Sequence, residues 1–485
     1  MIDHAKPYPA YKDSGHPWLG DVPEHWEVRG LGATTNRRSG QNDGGDLPLL
    51  SVLREKGVVL RSSLSREQNH NFVPDDLSNY RLTREGDLVI NKMKAWQGSV
   101  GVAPCDGVVS PAYYVFQLLG IEKTFAHRLF RSPFYKHAFA QASDGVRIGQ
   151  WDLSINRMKR IPVPVPPPAE QAGIVKVLGA VDRRVNRLVR AKRRLLGLLA
   201  EQKQAVITHA VTRGLDPHAP TQPSGVPWLG DVPEHWEVVP LKRVATVQTG
   251  LTLGKDYEGQ DVRRYPYLRV ANVQAGHLSL KHVKDIAVPE QVAANCLLRE
   301  GDVLMTEGGD IDKLGRGCIW KNEVDGCLHQ NHIFAVRCNS LLRPAFLSSI
   351  LASAHGRSYF ELTAKKTTNL ASTNSTTLRE FPVFLPSGSE QDQILGDLAE
   401  RLKATDAAAD LARREIDLIR EYRTRLVADV VTGKLDVRAV AEQLADDVDD
   451  PAVPADVAAD LGDEADEADD ADGEADAPDD ETGED

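Results

Sequence analysis

Two sets of polar and aromatic side chains carry the residue types that bind nucleic acid. Arginine, lysine, asparagine and glutamine are the side chains that contact phosphates and base edges. Any one of these residues alone fits an ordinary solvated surface, so the prediction depends on such a set recurring in both halves of the chain. The candidate DNA-binding residues are Lys92, Lys94, Trp96, Gln97, Arg147, Gln150, Lys255, Arg263, Arg264, Lys313, Arg316, Asn331, His332, Lys365, Lys366 and Asn369.

Short signatures of catalysis are missing from the sequence. It contains no G-x-x-x-x-G-K-[ST] phosphate loop, no H-E-x-x-H and no G-x-S-x-G. His25 and His235 have carboxylates beside them in the sequence, and Arg-Glu-Gly-Asp occurs at 84–87 and 299–302. A packing motif and a charged tight turn before a strand explain these features better than an active site does. We therefore predict no catalytic residue and no directly bound cofactor.

The cysteines and the hydropathy pattern limit the class of protein further. None of the five cysteines forms C-x-x-C, and their spacing matches no zinc template, so we expect free thiols and no metal site. No apolar run approaches the ~18 residues of a membrane span, and the first residues lack the apolar core of a signal peptide. These patterns predict a cytoplasmic protein without a membrane partner.

The net charge of −12 hides two segments of opposite sign. Residues 439–485 contain 21 Asp and Glu and no Lys or Arg. The rest of the chain carries 58 Lys and Arg against 49 Asp and Glu, a net charge of +9. A basic body fits nucleic-acid binding, and it equally fits a solvated basic surface. Segment 439–485 is too acidic and too poor in apolar residues to form a core, and we expect it to be disordered.

The elements that must position the candidate residues occur twice. SGHPWLGDVPEHWEV at 14–28 returns as SGVPWLGDVPEHWEV at 224–238, with fourteen of fifteen positions identical. Glu170-Gln171 and Glu390-Gln391 repeat at an offset of 220, and between such anchors the two copies differ almost completely. A repeat this long indicates two whole domains that share a frame and differ in content.

Each copy has the pattern of a mixed α/β domain followed by a long helix. Strands are predicted in the first copy at 47–53, 86–91 and 108–118, and in the second at 265–274, 301–309 and 329–337. Helical segments are predicted at 125–142, broken at Pro133, and at 346–364. Proline-rich stretches at 161–171 and 381–391 read as stiff linkers that cannot hold ladder bonds.

The two long helices are predicted at about 170–212 and 390–432. Apolar residues recur in the first of them at intervals of three, four or seven, which is the pattern of a coiled-coil seam. A helix of this length is about 64 Å long. The predicted seam residues are Leu178, Val181, Val185, Leu188, Leu195, Leu199, Val206, Leu398, Ile416, Ile419 and Leu426.

Together these patterns predict an α+β chain of five segments. They are a mixed α/β domain at 1–160, a linker and long helix at 161–216, a second mixed α/β domain at 217–380, a linker and long helix at 381–438, and the acidic segment at 439–485.

The order of these motifs resembles the specificity subunits of type I restriction–modification systems over about residues 10–438. The resemblance is carried by Y-K-D-S-G-x-P-W-L-G-D-V-P-E-H-W, then R-E-G-D, P-V-P-x-x-x-x-E-Q and a long helix closing in A-V-T-R-G-L-D, with most of this order repeated. It implies two tandem target recognition domains, separated by two long antiparallel coiled-coil helices in a pseudo-twofold repeat. Each domain would read one half of a split double-stranded DNA target.

The same resemblance implies the partners and the division of labour. Two methyltransferase subunits would bind S-adenosylmethionine and methylate adenine, and restriction subunits would supply ATP- and Mg-dependent cleavage, while this chain is not catalytic. Without the resemblance, a stand-alone DNA-binding regulator or architectural protein fits the residues as well, and an enzyme with an unrecognised site stays open. Copurification with a methyltransferase subunit distinguishes a specificity subunit from a stand-alone DNA-binding protein. Activity of the purified chain alone would favour an enzyme.

Overall fold

The structure of the chain is a computed structural model. The structure describes residues 5–42, 44–64, 76–145, 151–252, 257, 259–309, 314–315, 317–366 and 371–444. Among the candidate DNA-binding residues, the following lie outside the described part: Arg147, Gln150, Lys255, Lys313, Arg316 and Asn369. Most of the acidic segment, from residue 445 onward, lies outside it as well.

In its described residues, the first copy contains short strands, three short helices and one long helix. Its strands are β1 (Tyr11–Asp13), β2 (Asp21–Pro23), β3 (Glu27–Gly30), β4 (Thr35–Arg37), β5 (Leu50–Leu53), β6 (Gly57–Leu60), β7 (Arg81–Thr83), β8 (Leu88–Asn91), β9 (Val100–Val102), β10 (Gly107–Val109), β11 (Tyr113–Leu118), β12 (Ser143–Asp144), β13 (Asp152–Leu153) and β14 (Pro162–Val165). Its helices are α1 (Lys123–Phe130), α2 (Pro133–Gln141), α3 (Ile155–Met158) and α4 (Pro168–Arg213).

The second copy follows a similar order, with the additional short helix α5, and ends in a second long helix. Its strands are β15 (Thr221–Pro223), β16 (Asp231–Pro233), β17 (Glu237–Pro240), β18 (Ala245–Thr249), β19 (Val262–Leu268), β20 (Lys284–Pro289), β21 (Val303–Thr306), β22 (Gly308–Gly309), β23 (Gly317–Ile319), β24 (Leu328–His329), β25 (Ile333–Cys338), β26 (Lys365–Lys366), β27 (Ala371–Ser372) and β28 (Pro382–Leu385). Its helices are α5 (Glu290–Ala294), α6 (Pro344–Ala352), α7 (Ala354–Thr363), α8 (Ser375–Arg379) and α9 (Gly388–Val431), and α10 (Arg438–Gln443) follows.

Both copies are built on the same four-stranded antiparallel sheet. The strand order is β4-β11-β8-β9 in the first copy and β18-β25-β21-β23 in the second. The repeated motif at 14–28 and 224–238 supplies the connection and the second strand of a two-stranded hairpin in each copy, β1 with β2 and β15 with β16. The strand predicted at 108–118 is two strands, β10 and β11, because residues 110–112 form a turn around Pro111. The shared frame inferred from the repeat is thus visible as shared topology.

The proline-rich stretches are paired strands, and the prediction that they cannot hold ladder bonds is wrong. β14 pairs with β3, and β28 pairs with β17, both antiparallel. The Leu31 N–H donates to the Ile161 carbonyl at 2.8 Å, which fixes the hydrogen-bonding positions at every second residue. Pro162 and Pro164 occupy the alternate positions, whose backbone nitrogens point away from the partner strand, so they interrupt nothing.

The described chain divides into two compact units, and both long helices contribute to each unit. One unit contains residues 1–191 and the C-terminal part from residue 414, and the other contains residues 192–413. In the first unit the Arg423 Nε donates to Asp182 at 2.7 Å. In the second the Lys203 ammonium lies 2.7 Å from Asp406.

The helix seam predicted from the sequence is buried along part of its length. Leu178, Val181 and Val185 are buried, as are Leu398, Ile416 and Leu426. Ile419, Leu199 and Val206 are half-buried. Leu188 and Leu195 are exposed, and Val189 is buried in place of Leu188. A straight helix advances about 100° per residue, so a second step of four, from Val185 after the step from Val181, continues the same stripe and places Val189 on the buried side.

Two further sequence predictions can be compared with the fold. Residues 438–443 form α10, so the first residues of the segment expected to be disordered are helical. Among the described residues, no helix combines the length and the apolar character needed to cross a bilayer.

Candidate nucleic-acid interface

The candidate loops leave the frame at the same place in both copies. The Leu153 N–H donates to the Lys92 carbonyl at 2.8 Å in the first copy, and the Thr373 N–H donates to the Glu307 carbonyl at 2.8 Å in the second. Lys92 and Glu307 both follow the sheet strand that comes after Arg-Glu-Gly-Asp. The frame therefore presents two different sequences at one equivalent position.

In the first unit the structure joins two of the predicted stretches. The Trp96 and Trp151 rings lie 5.1 Å apart at 54°, and the Lys92 ammonium lies 3.0 Å from Asp152. Lys94 is exposed and Met93 has 54% of its surface exposed, although Met93 was not predicted. Two cations and an aromatic pair thus form one surface.

Hydrogen bonds within this loop hold the side chains in place. The Trp96 Nε1–H donates to the Met93 carbonyl at 3.1 Å, and the Met93 N–H donates to the Asn91 side chain at 3.1 Å. Gln97 accepts a long hydrogen bond of 3.4 Å from Arg54. The sequence did not single out Arg54, because its link to Gln97 spans 43 residues.

In the second unit His332, Lys365 and Lys366 belong to one local surface. His332 Nδ1 lies 2.6 Å from the Glu307 carboxylate. Glu307 leads directly into β22, which pairs with β27, and β27 pairs with β26, where the exposed Lys365 and Lys366 lie.

Arg263 and Arg264 lie apart from that surface along their strand. Both are exposed on β19, and Arg263 lies 3.4 Å from Glu290. β19 reaches β24 only at Tyr267 and Leu268, about four residues or ~13 Å further along. Asn331, half-buried beside His332, donates its backbone N–H to the Leu251 carbonyl at 2.8 Å. The structure thus separates the two arginines from residues 331–332.

Lys92 and Glu307 carry opposite charges at equivalent places. Lys92 faces an acidic partner, Asp152, whereas Glu307 faces His332. A phosphate or base edge that suits a lysine environment does not suit a carboxylate environment. The two surfaces consequently differ in electrostatic character while their backbone support is the same.

The repeated motif itself is occupied by packing. Glu170, buried at the start of α4, accepts hydrogen bonds from Trp26 Nε1–H at 3.1 Å and from the Tyr8 hydroxyl at 2.5 Å. His25 Nε2 lies 2.7 Å from the same carboxylate. Burial and the Glu170 carboxylate raise the pKa of Tyr8. The signal that could have revealed this contact is the Glu-Gln pair repeated at an offset of 220.

The second copy makes the same contact. Trp236 Nε1–H donates to Glu390 at 3.0 Å, and His235 Nε2 lies 3.0 Å from that carboxylate. Each histidine is thus bonded to a glutamate that also anchors a tryptophan, which is the geometry of a packing contact.

The other repeated tryptophan packs against a residue that differs between copies. Trp18 contacts Tyr135 edge-on at 5.5 Å, and the Tyr135 hydroxyl donates to the Pro162 carbonyl at 2.7 Å. Trp228 donates its Nε1–H to His355 Nδ1 at 3.2 Å, and His355 Nε2 bonds the Pro382 carbonyl at 3.0 Å. Trp228 also lines a cavity of about 1010 Å³ in the second unit.

The Arg-Glu-Gly-Asp sequences are turns closed by a buried carboxylate. Asp87 accepts the Arg84 N–H at 2.9 Å and pairs with Arg38. Asp302 likewise accepts the Arg299 N–H at 2.9 Å and takes two hydrogen bonds from Arg337. Their carboxylates are fully paired inside the frame, which supports the turn interpretation.

The cysteines are all free thiols. Burial raises the pKa of Cys318, Cys327 and Cys338 to about 12, so these thiols stay protonated at neutral pH. Within the described ranges, no three His, Cys, Asp or Glu side chains converge as a metal site would require.

Comparison with known proteins identifies the family of this chain. Residues 23–196 and 233–421 match the family described as the type I restriction modification DNA specificity domain. A chain in a solved structure concerned with complex assembly and conformational transition of the type I R-M system shares the fold. It is 16% identical, with 84% of this chain and 98% of that chain covered and a TM-score of 0.56.

Several relatives are named as specificity subunits of type I restriction enzymes. The MjaVIII specificity subunit of Methanocaldococcus jannaschii is 25% identical over 319 residues, which cover 64% of this chain and 70% of that protein. The EcoKI specificity subunit of Escherichia coli strain K12 is 20% identical over 341 residues, 69% of each chain. MjaX from the same M. jannaschii strain is 25% identical over 209 residues, 42% of this chain, and the match spans about half (47%) of that relative.

Two copies of one α/β frame, each with a different polar surface and each joined to a long helix, define a two-domain recognition protein. The chain belongs to the type I restriction-modification DNA specificity family, which two separate segments of it match. Its function is that of a specificity subunit, which recognises DNA and is not itself the enzyme.

Proposed function

We propose that each unit reads one half of a split DNA target through the surface at the equivalent loop position. The observation that carries this proposal is the pair of identical backbone hydrogen bonds at Lys92 and Glu307, from which two unrelated side-chain sets project. Two sites that differ in charge and shape on one frame suit two different half-sites. The first site consists of Lys92, Lys94, Trp96 and Gln97, together with the adjoining candidates Arg147 and Gln150.

The second site is proposed at His332, Lys365 and Lys366, with Asn331 beside them. Lys365 and Lys366 are exposed and fit phosphates, and the amide and imidazole fit base edges. Lys255, Lys313, Arg316 and Asn369 are proposed members of the same recognition region. Arg263 and Arg264, further along β19, suit the phosphate backbone at its edge.

The long helices are proposed to set the unread spacer between the half-sites. Asp182 of α4 contacts Arg423 of α9, and Lys203 of α4 contacts Asp406 of α9. These contacts and the partly buried seam support an antiparallel coiled coil, and two copies of one frame support a pseudo-twofold arrangement. Successive major grooves on one face of DNA are about 34 Å apart, so a rigid helical spacer can match two half-sites to one face.

The helices also supply a surface for two methyltransferase subunits. Leu418 and Tyr422 lie one turn apart on α9 and are exposed, at 63% and 41% of their surface. Apolar side chains exposed together in this way are typical of a subunit contact. S-adenosylmethionine, ATP and Mg are proposed to bind the methyltransferase and restriction subunits, and the complex to work in the cytoplasm.

Exchange of residues 31–160 for the same segment of a relative tests this proposal. The exchanged chain is assembled with its methyltransferase subunits, and the methylated sequence is mapped across a genome. We expect one half of the methylated target to change and the other half to stay. The matched control is exchange of residues 14–28, the repeated motif, which leaves both half-sites unchanged.

Two outcomes would contradict the proposal that each unit reads one half of the target. One is a change of both half-sites after the 31–160 exchange, and the other is a change of neither. Substitution Trp96→Ala then locates the reading surface more closely, because it removes an aromatic ring without altering the frame. It should weaken binding to the original target by about tenfold, the loss of one base contact.

A further inference from the structure

An arginine face lies on the outer side of α4 in the first unit. It consists of Arg184, Arg187 and Arg190, which are exposed, whereas Val185 and Val189 are buried. At about 100° per residue the three arginines fall within ~120° of the helix circumference. The buried valines lie on the opposite side, so the three guanidinium groups point away from the core of the unit.

Carboxylates of the same helix segment do not neutralise this face. Asp182 is the single acidic residue between 171 and 191. It is held by Arg128 at 2.7 Å and Arg423 at 2.7 Å. Burial alone would raise the pKa of Asp182, but these two guanidinium groups lower it below its usual value. The arginine face therefore keeps its charge toward solvent.

Helix α10 brings the acidic segment to α4 in the same unit. Ala441 lies against Gly173, where an added Cβ would meet the Ala441 Cβ at 3.4 Å. The Arg438 guanidinium lies 5.1 Å over the Tyr8 ring and 2.6 Å from Asp436, which fixes the start of this helix. Gly173 precedes the arginine face by eleven residues, about 17 Å along the helix.

The chain beyond α10 has the complementary charge and enough length to reach the arginine face. Residues 445–485 contain 20 Asp and Glu and no Lys or Arg. A polypeptide of 41 residues spans about 35 Å even as a random coil, which exceeds the distance along the helix. Tethering at this range gives an effective concentration on the order of millimolar.

We propose that residues 445–485 dock on the arginine face of the same chain. Guanidinium groups bind carboxylates through paired hydrogen bonds, and a run of carboxylates can exchange among three such groups. The docked segment covers the arginine face against other polyanions, including phosphates of non-target DNA. Target reading by the two recognition surfaces does not require this contact.

A peptide titration tests the docking without DNA. The receptor is the full-length chain with the acidic residues of 445–485 changed to Asn and Gln, and the probe is a fluorescent peptide of the natural sequence 445–485. At low ionic strength, where screening is weak, we expect the peptide to bind. Adding Arg184→Gln, Arg187→Gln and Arg190→Gln to the receptor should weaken peptide binding about tenfold, as expected for three exposed ion pairs.

A matched receptor separates the arginine face from net charge. Lys12→Gln, Lys136→Gln and Arg160→Gln remove three exposed charges from the same unit and should leave peptide affinity within about twofold. Equal weakening in both triple variants, or no binding of the peptide, overturns the proposal. Circular dichroism confirms that every receptor is folded before titration.

A second measurement uses duplex DNA that lacks the target. The receptor with a neutralised segment should bind this DNA about tenfold more tightly than the natural chain at low salt. The three arginine substitutions should remove that gain, and the control triple should keep it. A gain that survives the arginine substitutions contradicts the competition between segment and DNA on this face.

Discussion

At the residue scale, the frame depends on carboxylates that could have been mistaken for catalytic groups. Asp87 and Asp302 each close a turn through a backbone N–H and an arginine from another strand. The glycine before each aspartate has a φ of 86° or 90°, a conformation that side chains with a Cβ rarely adopt. Their repetition thus reports a turn requirement that both copies share.

Substitution Asp302→Asn should destabilise the second unit. Asp302 is fully buried, and its loss of charge leaves Arg337 bonded to a neutral amide in the interior. Breaking a buried pair in this way costs about 3 kcal/mol, measured as the free energy of unfolding in urea. Glu300→Gln, an exposed change two residues away, is the control and should stay within about 0.5 kcal/mol. Equal stability of the two variants would contradict the role given to Asp302.

Tyr135 and His355 occupy the same packing position in the two copies. The histidine makes the stability of its copy depend on pH. Burial lowers the pKa of His355 to about 4, although its bond to the Pro382 carbonyl opposes this. The unfolded histidine has a pKa near 6.5, so the unfolded chain takes up a proton first as pH falls. The stability that His355 supports is complete above about pH 6.5 and declines toward pH 4.

Substitution His355→Tyr should remove that part of the pH dependence. The first copy already places a tyrosine there, bonded to the equivalent proline carbonyl. We expect the slope of unfolding free energy between pH 6 and 4.5 to fall by up to one proton, about 1.4 kcal/mol per pH unit. His127 and His329, whose pKa values burial lowers to about 3 and about 4, keep the remaining slope. An unchanged slope would show that His355 does not contribute to the pH dependence of stability.

At the element scale, the proline-rich strands define the junction between each domain and its long helix. Prolines alternate with the residues that carry the ladder bonds, so β14 pairs with β3 despite its composition. Val163→Pro places a proline at a hydrogen-bonding position and should destabilise the first unit by about 3 kcal/mol. Pro164→Ala is the control and should change the urea midpoint little. Equal urea midpoints for the two variants would contradict the pairing of β14 with β3.

The sequence predicted those elements that local patterns determine. Both long helices, the break at Pro133 and the strand after each Arg-Glu-Gly-Asp follow from periodicity and turn residues within a few positions. The fold class was predictable because the motif order repeats, and a repeated order means a repeated frame.

Contacts between residues that are far apart in the sequence could not be predicted from local patterns. The sheet order, the bond from Glu170 to Trp26 and the contact of Trp96 with Trp151 join residues that are tens to more than a hundred positions apart. Composition alone suggested that the proline stretches were unpaired, because the alternation that permits pairing depends on the register with β3. The individual reading residues stay a prediction, since surface side chains obey no local periodicity.

At the scale of the whole molecule, the long helices should govern the separation of the two half-sites. In the proposed antiparallel pairing, residues 185–191 of α4 and 414–420 of α9 form one matched heptad pair. Removing both shortens the helix pair by about 10 Å. We expect a changed spacer length or loss of assembly, with both half-sites unchanged in methylation mapping. A changed half-site with the old spacer would contradict this role.

The contact between Lys6 and Asp436 has a consequence for how the chain is connected. The Asp436 N–H donates to the Lys6 carbonyl at 2.7 Å, so two distant parts of the sequence meet there. By the repeat offsets of 210 and 220, both residues correspond to Asp216, where the second copy is continuous. A circular permutant that joins residue 436 to residue 6 through a short linker, and opens after residue 216, would exchange the covalent and non-covalent joints. Such a permutant would carry the two domains in the opposite order along the polypeptide.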